Sequence, residues 1–390
     1  MTPTSGTMTI AMHIPDNFVS LSTGAVFWVI MIPIWVLCMR SVMREASPEK
    51  MAYLGAGAAF SFLVMMFNVP TPGGTTAHGV GAALIALLLG PQYATIAVSV
   101  ALLLQALLFG DGGLITLGAN CFNMAVVLPF AAYGVYVLLR RVARAMQGRE
   151  RDRGRDRERD AARDVKSAAS QSGRLTGRIA QFAAGYVGIT LAALCVAIEL
   201  GIQPMLFHDA AGQSLYFPFG LAVTIPAMLI PHLAVAGIVE GLMTVVVVEF
   251  VRQSAPEIVR IGAIEANANA NQPSANTTSV AHGSSRSGLR RSAWIALAVV
   301  ALLSPIGLLA TGDAWGEWGA EDFMAATGLD YVPQYIAHGF TWNAVLPDYS
   351  LAGLPDVVGY LLSAVIGIAA LTIIFRLLAL AVRTKSTKHA

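Results

Sequence analysis

All 25 Lys and Arg residues of this 390-residue chain fall in four stretches, 40–50, 140–178, 252–291 and 376–388. Long apolar segments without a single basic residue separate them. That spacing is what most restricts the fold. Only 12% of residues are charged and 56% are hydrophobic, whereas soluble domains carry roughly 25% charged residues. A water-soluble fold of this length could not cover its surface with so little charge. Whole-chain disorder, a disulfide scaffold and a collagen-like fibre are excluded. The fold class expected is all-α, a polytopic transmembrane helical bundle.

Nine apolar segments are span candidates: 18–39, 51–68, 77–90, 92–109, 118–138, 179–200, 231–251, 293–310 and 355–380. The third is short and abuts Gly90-Pro91. A further apolar stretch, 217–230, reads as a re-entrant or interfacial piece ahead of the seventh span. Nine spans with the N-terminus outside and the C-terminus cytoplasmic put all four basic stretches on the cytoplasmic side, as the positive-inside rule requires. The cytoplasmic regions then carry 25 bases and 11 acids. The outer face carries ten acids and no base, among them Asp16, Asp111, Asp209 and Asp348. Such a field concentrates cations. It is also what positive-inside bias leaves behind by itself.

Composition divides the chain further. Residues 148–173 (GRERDRGRDRERDAARDVKSAASQSG) alternate charge and read as a solvated, helix-compatible cytoplasmic linker. Interleaved acids argue against nucleic-acid binding. Residues 253–289, rich in Ala, Asn and Ser, read as a disordered linker. A seven-span unit over 12–252 and a two-span unit over 290–390 result, the latter with a long outer hairpin, 311–354. Trp315, Trp318 and Trp342 of that hairpin suit an aromatic belt at headgroup level. Cys38, Cys121 and Cys195 are far apart in apolar runs and read as small core residues.

Ionisable groups inside spans are the first functional candidates. Here they are His78, His232, Glu199 and Glu240. A lone membrane histidine commonly serves as a structural hydrogen-bonding group. The segment Met12-His13-Ile14-Pro15-Asp16-Asn17-Phe18 adds a second possibility. A histidine second in a chain can offer its imidazole, its own amide and the terminal amine in fused five- and six-membered chelate rings. Such tetragonal nitrogen sites suit Ni(II), Cu(II) and low-spin Co(II), and His78 can close the square. The chain has no GxxxxGK[ST] phosphate loop, so it supplies no ATPase of that type. It also lacks a GxSxG nucleophile signature and an intramembrane Asp/Lys relay. Its 15 Met residues form no repeated copper-path pattern.

Several segments resemble the CbiM/NikM family, the substrate-specific membrane components of energy-coupling-factor transporters for cobalt and nickel. They are MHIPDNFVS (12–20), AHGVGAALIALLLGP (77–91), ALLLQALLFGDGGLITLGANCFNM (101–124) and PHLAVAGIVEG (231–241). SPIGL (304–308), AWGEW (314–318) and PDY (347–349) resemble the two-span NikN or PDGLE-type partner, here fused. The resemblance implies a substrate-binding component of an importer for Ni2+ or Co2+, with the MHIPD form closer to the nickel branch. It implies no enzyme activity and no cofactor in this chain. Its partners would be an energy-coupling transmembrane subunit and CbiQ/CbiO-like ATPase subunits in the cell membrane. The implied metal ligands are Met12, His13 and His78 in a square-planar site. Asn120 and Asn123 are the candidates for orienting them, with Gln105 and Asp111 next.

Two departures from the family stand beside the ligands: Asn17 where Gly is usual, and Gly79 where a larger apolar residue is usual. The other readings are a stand-alone secondary transporter or channel, for which only Glu199 and Glu240 could serve as ion-coupling carboxylates, and a non-transporting scaffold. Residues 1–11 (MTPTSGTMTIA) would turn the Met12 amine into an amide. The expectation is a functional chain beginning at Met12 by internal initiation or trimming. Intact mass of the purified protein checks this. A mature chain starting at Met1 with full metal affinity defeats the amine-ligand reading.

Overall fold

The structure, a computed structural model, describes residues 13–71, 75–154, 162–254, 301–302, 305 and 318–387. Met12, the extension 1–11, nearly all of the linker 253–289, most of the eighth apolar segment and Trp315 lie outside the described residues. Among the described residues, six helices are long and apolar enough to cross a membrane: Leu21–Arg44, Pro91–Phe109, Leu117–Met146, Arg174–Leu206, Leu221–Gln253 and Asp356–Ala381. The second expected span is a shorter helix. The third is broken up, as described below.

Helix α1 (Leu21–Arg44) starts at Ser20, whose hydroxyl accepts from the Thr23 N–H at 3.0 Å. Helix α2 (Pro48–Met65) starts at Ser47 in the same way, with Pro48 in the first turn. The expected third span, 77–90, holds only a short helix, and the segment leading into it is a two-stranded antiparallel hairpin. Strand β1 (Asn68–Thr71) pairs with β2 (Thr75–His78) in the register Asn68 to His78. The all-α expectation therefore needs this one addition. Its physical cause is local: Pro70 breaks the helix and the β-branched Val69, Thr71, Thr75 and Thr76 favour extended backbone. Helix α3 (Ala82–Leu89) is only eight residues and meets α4 (Pro91–Leu104) at Gly90, whose φ of 111° favours glycine.

Helix α4 ends in a π-turn, Gln105–Phe109. Helix α5 (Leu117–Cys121) passes through a second π-turn, Phe122–Val127, into α6 (Leu128–Gly154). Helix α7 (Ala162–Gly201) follows, so helix flanks 155–161 on both sides. A short α8 (Gln203–Leu206) precedes α9 (Leu221–Pro231), which continues through the π-turn His232–Ala236 into α10 (Gly237–Ser254). The stretch 217–230 is thus not a separate re-entrant piece. Its helical part is the first third of one long span, Leu221–Gln253. Pro226 and Pro231 lack an N–H, and the wider turn after Pro231 carries the helix onward. Beyond residue 318 come α11 (Phe323–Thr327), α12 (Gln334–His338), a 3₁₀ turn (Pro347–Tyr349) and α13 (Asp356–Thr387).

Small residues bring the helices together, the usual solution where lipid supplies no hydrophobic drive. A Cβ on Gly188 of α7 would lie 2.9 Å from the Leu128 carbonyl of α6, and one on Gly55 of α2 would lie 2.9 Å from Phe375 of α13. The C-terminal helix therefore belongs to the same bundle as α2. The Tyr360 hydroxyl also donates to the Met66 carbonyl. Val26, Val29, Val36 and Leu37 of α1 and Val365, Ile373 and Leu377 of α13 stay exposed. These apolar ridges fit contact with lipid. Cys38 and Cys121 are buried, Cys195 is half-buried, and all three are free thiols.

The connecting segments converge at one end of the bundle. Ser20 donates its N–H to Gln203 Oε1 at 3.0 Å, and Phe217 donates to the Phe18 carbonyl at 3.2 Å. Tyr335 donates to Leu215, and Leu346 donates to Leu108. Ile14, Phe18 and Val19 sit in a small apolar cluster with Ala119, Val196 and Phe217. The carboxylate of Asp16 accepts from the N–H groups of Leu114, Ile115 and Thr116 at 2.8–3.2 Å. Asp16→Ala leaves three half-buried donors without this acceptor. The expected loss is about 1–3 kcal/mol of stability, read as a lowered unfolding temperature of the detergent-solubilised protein.

Candidate metal centre

His13 is placed by the backbone that follows it. The Ile14 N–H donates to Asn120 Oδ1 at 2.8 Å. The Ile14 carbonyl accepts from the Thr116 hydroxyl at 2.6 Å, Asn120 Nδ2 at 3.0 Å and the Gly113 N–H at 3.2 Å. Gly112, at φ 79°, lies under the ring. A Cβ there would come within 2.9 Å of His13 Cβ and 3.2 Å of Asn120 Nδ2. Asn17 has a φ of 73°, in the left-handed region. Glycine or asparagine suits that backbone, which accounts for Asn17 at a family glycine position.

His78 ends β2, and the turn after it is held from α10. Glu240 Oε2 accepts from the Val80 and Gly81 N–H groups at 2.9 and 3.1 Å. Ser61 donates to the Val80 carbonyl at 2.7 Å. A side chain on Gly79 would meet Val64 Cγ1 at 2.9 Å and Glu240 Oε2 at 3.0 Å. A larger side chain at Gly79 would have to displace these neighbours.

The two imidazoles, 2% and 1% exposed, face each other with ring centroids 5.2 Å apart and planes tilted by 54°. With metal–nitrogen bonds of about 2 Å, two imidazoles on one ion have centroids about 4.5 Å apart when cis and about 6.4 Å when trans. The observed separation lies between these limits. His78 Nδ1 is 2.9 Å from the Gly79 carbonyl, which can only accept, so Nδ1 carries the proton. His13 Nδ1 is 2.5 Å from Asp111 Oδ1. Asp111 Oδ2 accepts in turn from Gln105 Nε2 at 3.1 Å and from the Tyr349 hydroxyl. Both rings, when neutral, therefore keep a lone pair on Nε2. Both Nε2 atoms are buried without a hydrogen-bond partner. Buried polar atoms are seldom left so, and a pair of such lone pairs is what a soft or borderline cation takes up. No group of three or more His, Cys, Asp or Glu side chains assembles into a metal cage among the described residues.

Of the expected site residues, His13 and His78 are brought together, and Met12 lies outside the described residues. Asn120 holds the backbone next to His13. Asn123 instead donates to Glu199 Oε2 at 2.8 Å, on α7. Asp111, a weaker candidate from sequence, contacts His13 directly, and Gln105 reaches it only through Asp111. His232 Nδ1 turns to the Met228 carbonyl of its own helix at 2.6 Å. Tyr349 was not singled out as a site residue, although its PDY motif was legible as a mark of likeness. Burial and the Asp111 charge push its hydroxyl well above the usual range, so it stays a proton donor. Asp348 beside it is pushed up to about 6 by burial and by Asp111. The fused chelate through the His13 amide closes its six-membered ring at Nδ1. That nitrogen faces Asp111 here, so the chelate is not formed with the ring in this orientation.

An apolar helical bundle with a buried imidazole pair among its connecting segments is the architecture of a multi-pass membrane transport protein. Comparison with known sequences agrees. Residues 13–258 match the cobalt uptake substrate-specific transmembrane region, CbiM, and residues 291–384 match the PDGLE domain. The chain belongs to the CbiM family, with a PDGLE domain following in the same polypeptide. It is 38% identical over 372 residues to the probable fused nickel transport protein LarMN of Lactiplantibacillus plantarum, covering 94% of this chain and 97% of that one. It is 39% identical over 373 residues to the fused nickel transport protein NikMN of Rhodobacter capsulatus, covering 92% and 94%. A crystal structure of a truncated transition metal transporter is similar at 44% identity and a TM-score of 0.51, over 62% of this chain and 99% of that one.

Proposed function

We propose that this chain is the substrate-binding membrane component of an importer for nickel or cobalt ions, with nickel favoured. The observation that carries this is the pair of partnerless Nε2 atoms of His13 and His78, held 5.2 Å apart between ring centroids. Neutral imidazole suits Ni(II) and Co(II). The relatives named as fused proteins are nickel transport proteins, and a shorter relative, matched over 35% of this chain, is named as a cobalt transport protein. With the loop end of the bundle outside and the basic stretches inside, Asp16, Asp111 and Asp348 add an attractive potential for an arriving cation.

In this reading the His13 and His78 imidazoles are the side-chain ligands. The Met12 amine supplies a third nitrogen when the chain starts there. A square-planar four-nitrogen set that also takes the His13 amide needs the His13 ring to turn about Cβ–Cγ and leave Asp111. X-ray absorption of the nickel-loaded protein separates the two sets, because only the planar one lacks axial scattering and shows the square-planar pre-edge peak. Energy comes from separate ATPases through a coupling subunit of the energy-coupling-factor type, since this chain has no phosphate loop.

His13→Ala and His78→Ala should each abolish high-affinity binding of Ni(II) and Co(II) to the solubilised protein, measured by equilibrium dialysis. His232→Ala should keep the affinity, because its ring is tied to its own helix. Wild-type affinity in His78→Ala overturns the site. In proteoliposomes, uptake should require co-reconstituted ATPase and coupling subunits with ATP. Uptake by this chain alone would instead identify a stand-alone carrier.

A further inference from the structure

The segment following the short helices of the PDGLE domain enters the metal centre, although that domain begins some 180 residues beyond Asp111. Three contacts dock it. Asn17 and Phe340 exchange two hydrogen bonds, Asn17 Nδ2 to the Phe340 carbonyl at 2.8 Å and the Phe340 N–H to Asn17 Oδ1 at 2.9 Å. Trp342 Nε1 donates to the Leu107 carbonyl at 3.1 Å. The Leu346 N–H donates to the Leu108 carbonyl at 2.8 Å. The backbone then bends sharply, with Asp348 at φ 54° and Tyr349 at φ 57°. Two successive left-handed residues other than glycine are uncommon, and a bulky tyrosine there is more so. Such strain persists only where the surroundings enforce it, typically at functional sites.

The bend drives Tyr349 inward until it is 3% exposed. Its ring stacks on Phe109 with centroids 4.6 Å apart. Its hydroxyl donates to Asp111 Oδ2 and accepts from Gln105 Nε2 at 2.9 Å. Its carbonyl is held by Ser363 of α13 at 3.0 Å. The other oxygen of the same Asp111 carboxylate receives His13 Nδ1. The chain of contacts Tyr349–Asp111–His13 is therefore continuous and buried. A carboxylate behind a metal-facing imidazole selects its tautomer and its ring orientation.

We propose that Tyr349 is a positioning residue of the metal site: its hydroxyl fixes Asp111, which in turn holds His13 through Nδ1 and leaves Nε2 without a protein partner beside His78, so the PDGLE domain completes a site otherwise built by the CbiM part. This rests on the His13/His78 reading of the site. It assigns the domain a direct role in ligand geometry, beyond docking.

Tyr349→Phe removes only the hydroxyl and keeps the ring on Phe109. Loss of a partner behind a ligand histidine typically weakens metal binding 10–100-fold. The expected result in the full-length solubilised protein is a Ni(II) affinity about tenfold lower and a shifted ligand-field absorption band, with the metal-free protein still folded and its unfolding temperature lowered only by the loss of these hydrogen bonds. An unchanged affinity and band in Tyr349→Phe overturn the inference. A raised affinity overturns it too, because Asp111 would then restrain His13 from the ion. His78→Ala in the same assay separates the two levels. If it loses binding while Tyr349→Phe matches the wild type, only the positioning role fails. If it retains binding, the site itself fails.

Discussion

Everything at the loop end depends on burying a stretch of non-helical backbone inside an apolar bundle. In such surroundings each peptide group needs a partner, because no water is there to replace one. The chain meets this demand by pairing 13–17 with 112–120. Ile14 uses both its peptide groups on Gly113, Thr116 and Asn120, while Asp16 takes three successive N–H groups. Remove that pairing and His13 has no fixed position. With it, the imidazole comes to rest against His78 and Asp111 as a geometric consequence.

The same constraint explains why His78 sits on a hairpin. A helix through 68–81 would hide its own peptide groups and leave nothing to anchor the histidine. The strand pair and the turn that follows expose the Val80 and Gly81 N–H groups, and Glu240 of α10 accepts both. A buried carboxylate in a span, first read as a possible ion-coupling group, here has an architectural task. Glu199 likewise engages Asn123. The π-turns serve a related end. Gln105, Asn123 and His232 each lie in one, where the wider turn lets polar side chains depart from the helix at an altered angle.

Family membership and structure together make the two-part chain intelligible. The CbiM part supplies both histidines, Asp111 and the clamp on the N-terminal segment. The PDGLE domain packs α13 on α2 and sends the 340–349 segment across the loop end. Asn17 illustrates the join. Its left-handed backbone is one that glycine would adopt, yet its amide also grips Phe340 of the second part.

Sequence alone determined the environment and singled out the candidate residues. Charge placement and apolar runs defined a membrane bundle, and the MHIPDNFVS and AHGVG segments pointed to His13 and His78. These are local signals, written in composition and short motifs. The tertiary structure alone decided which loops meet. Asp111 rose from a minor candidate to the residue holding His13, Asn123 moved away to Glu199, and Tyr349 arrived from a distant domain. The hairpin at 68–78, and one long span in place of a re-entrant or interfacial piece at 217–230, were also decided there. The reason is physical. Periodicity reports what a segment buries, whereas the partner of a buried polar atom depends on how separate segments are brought into register, and that information is not local to either one.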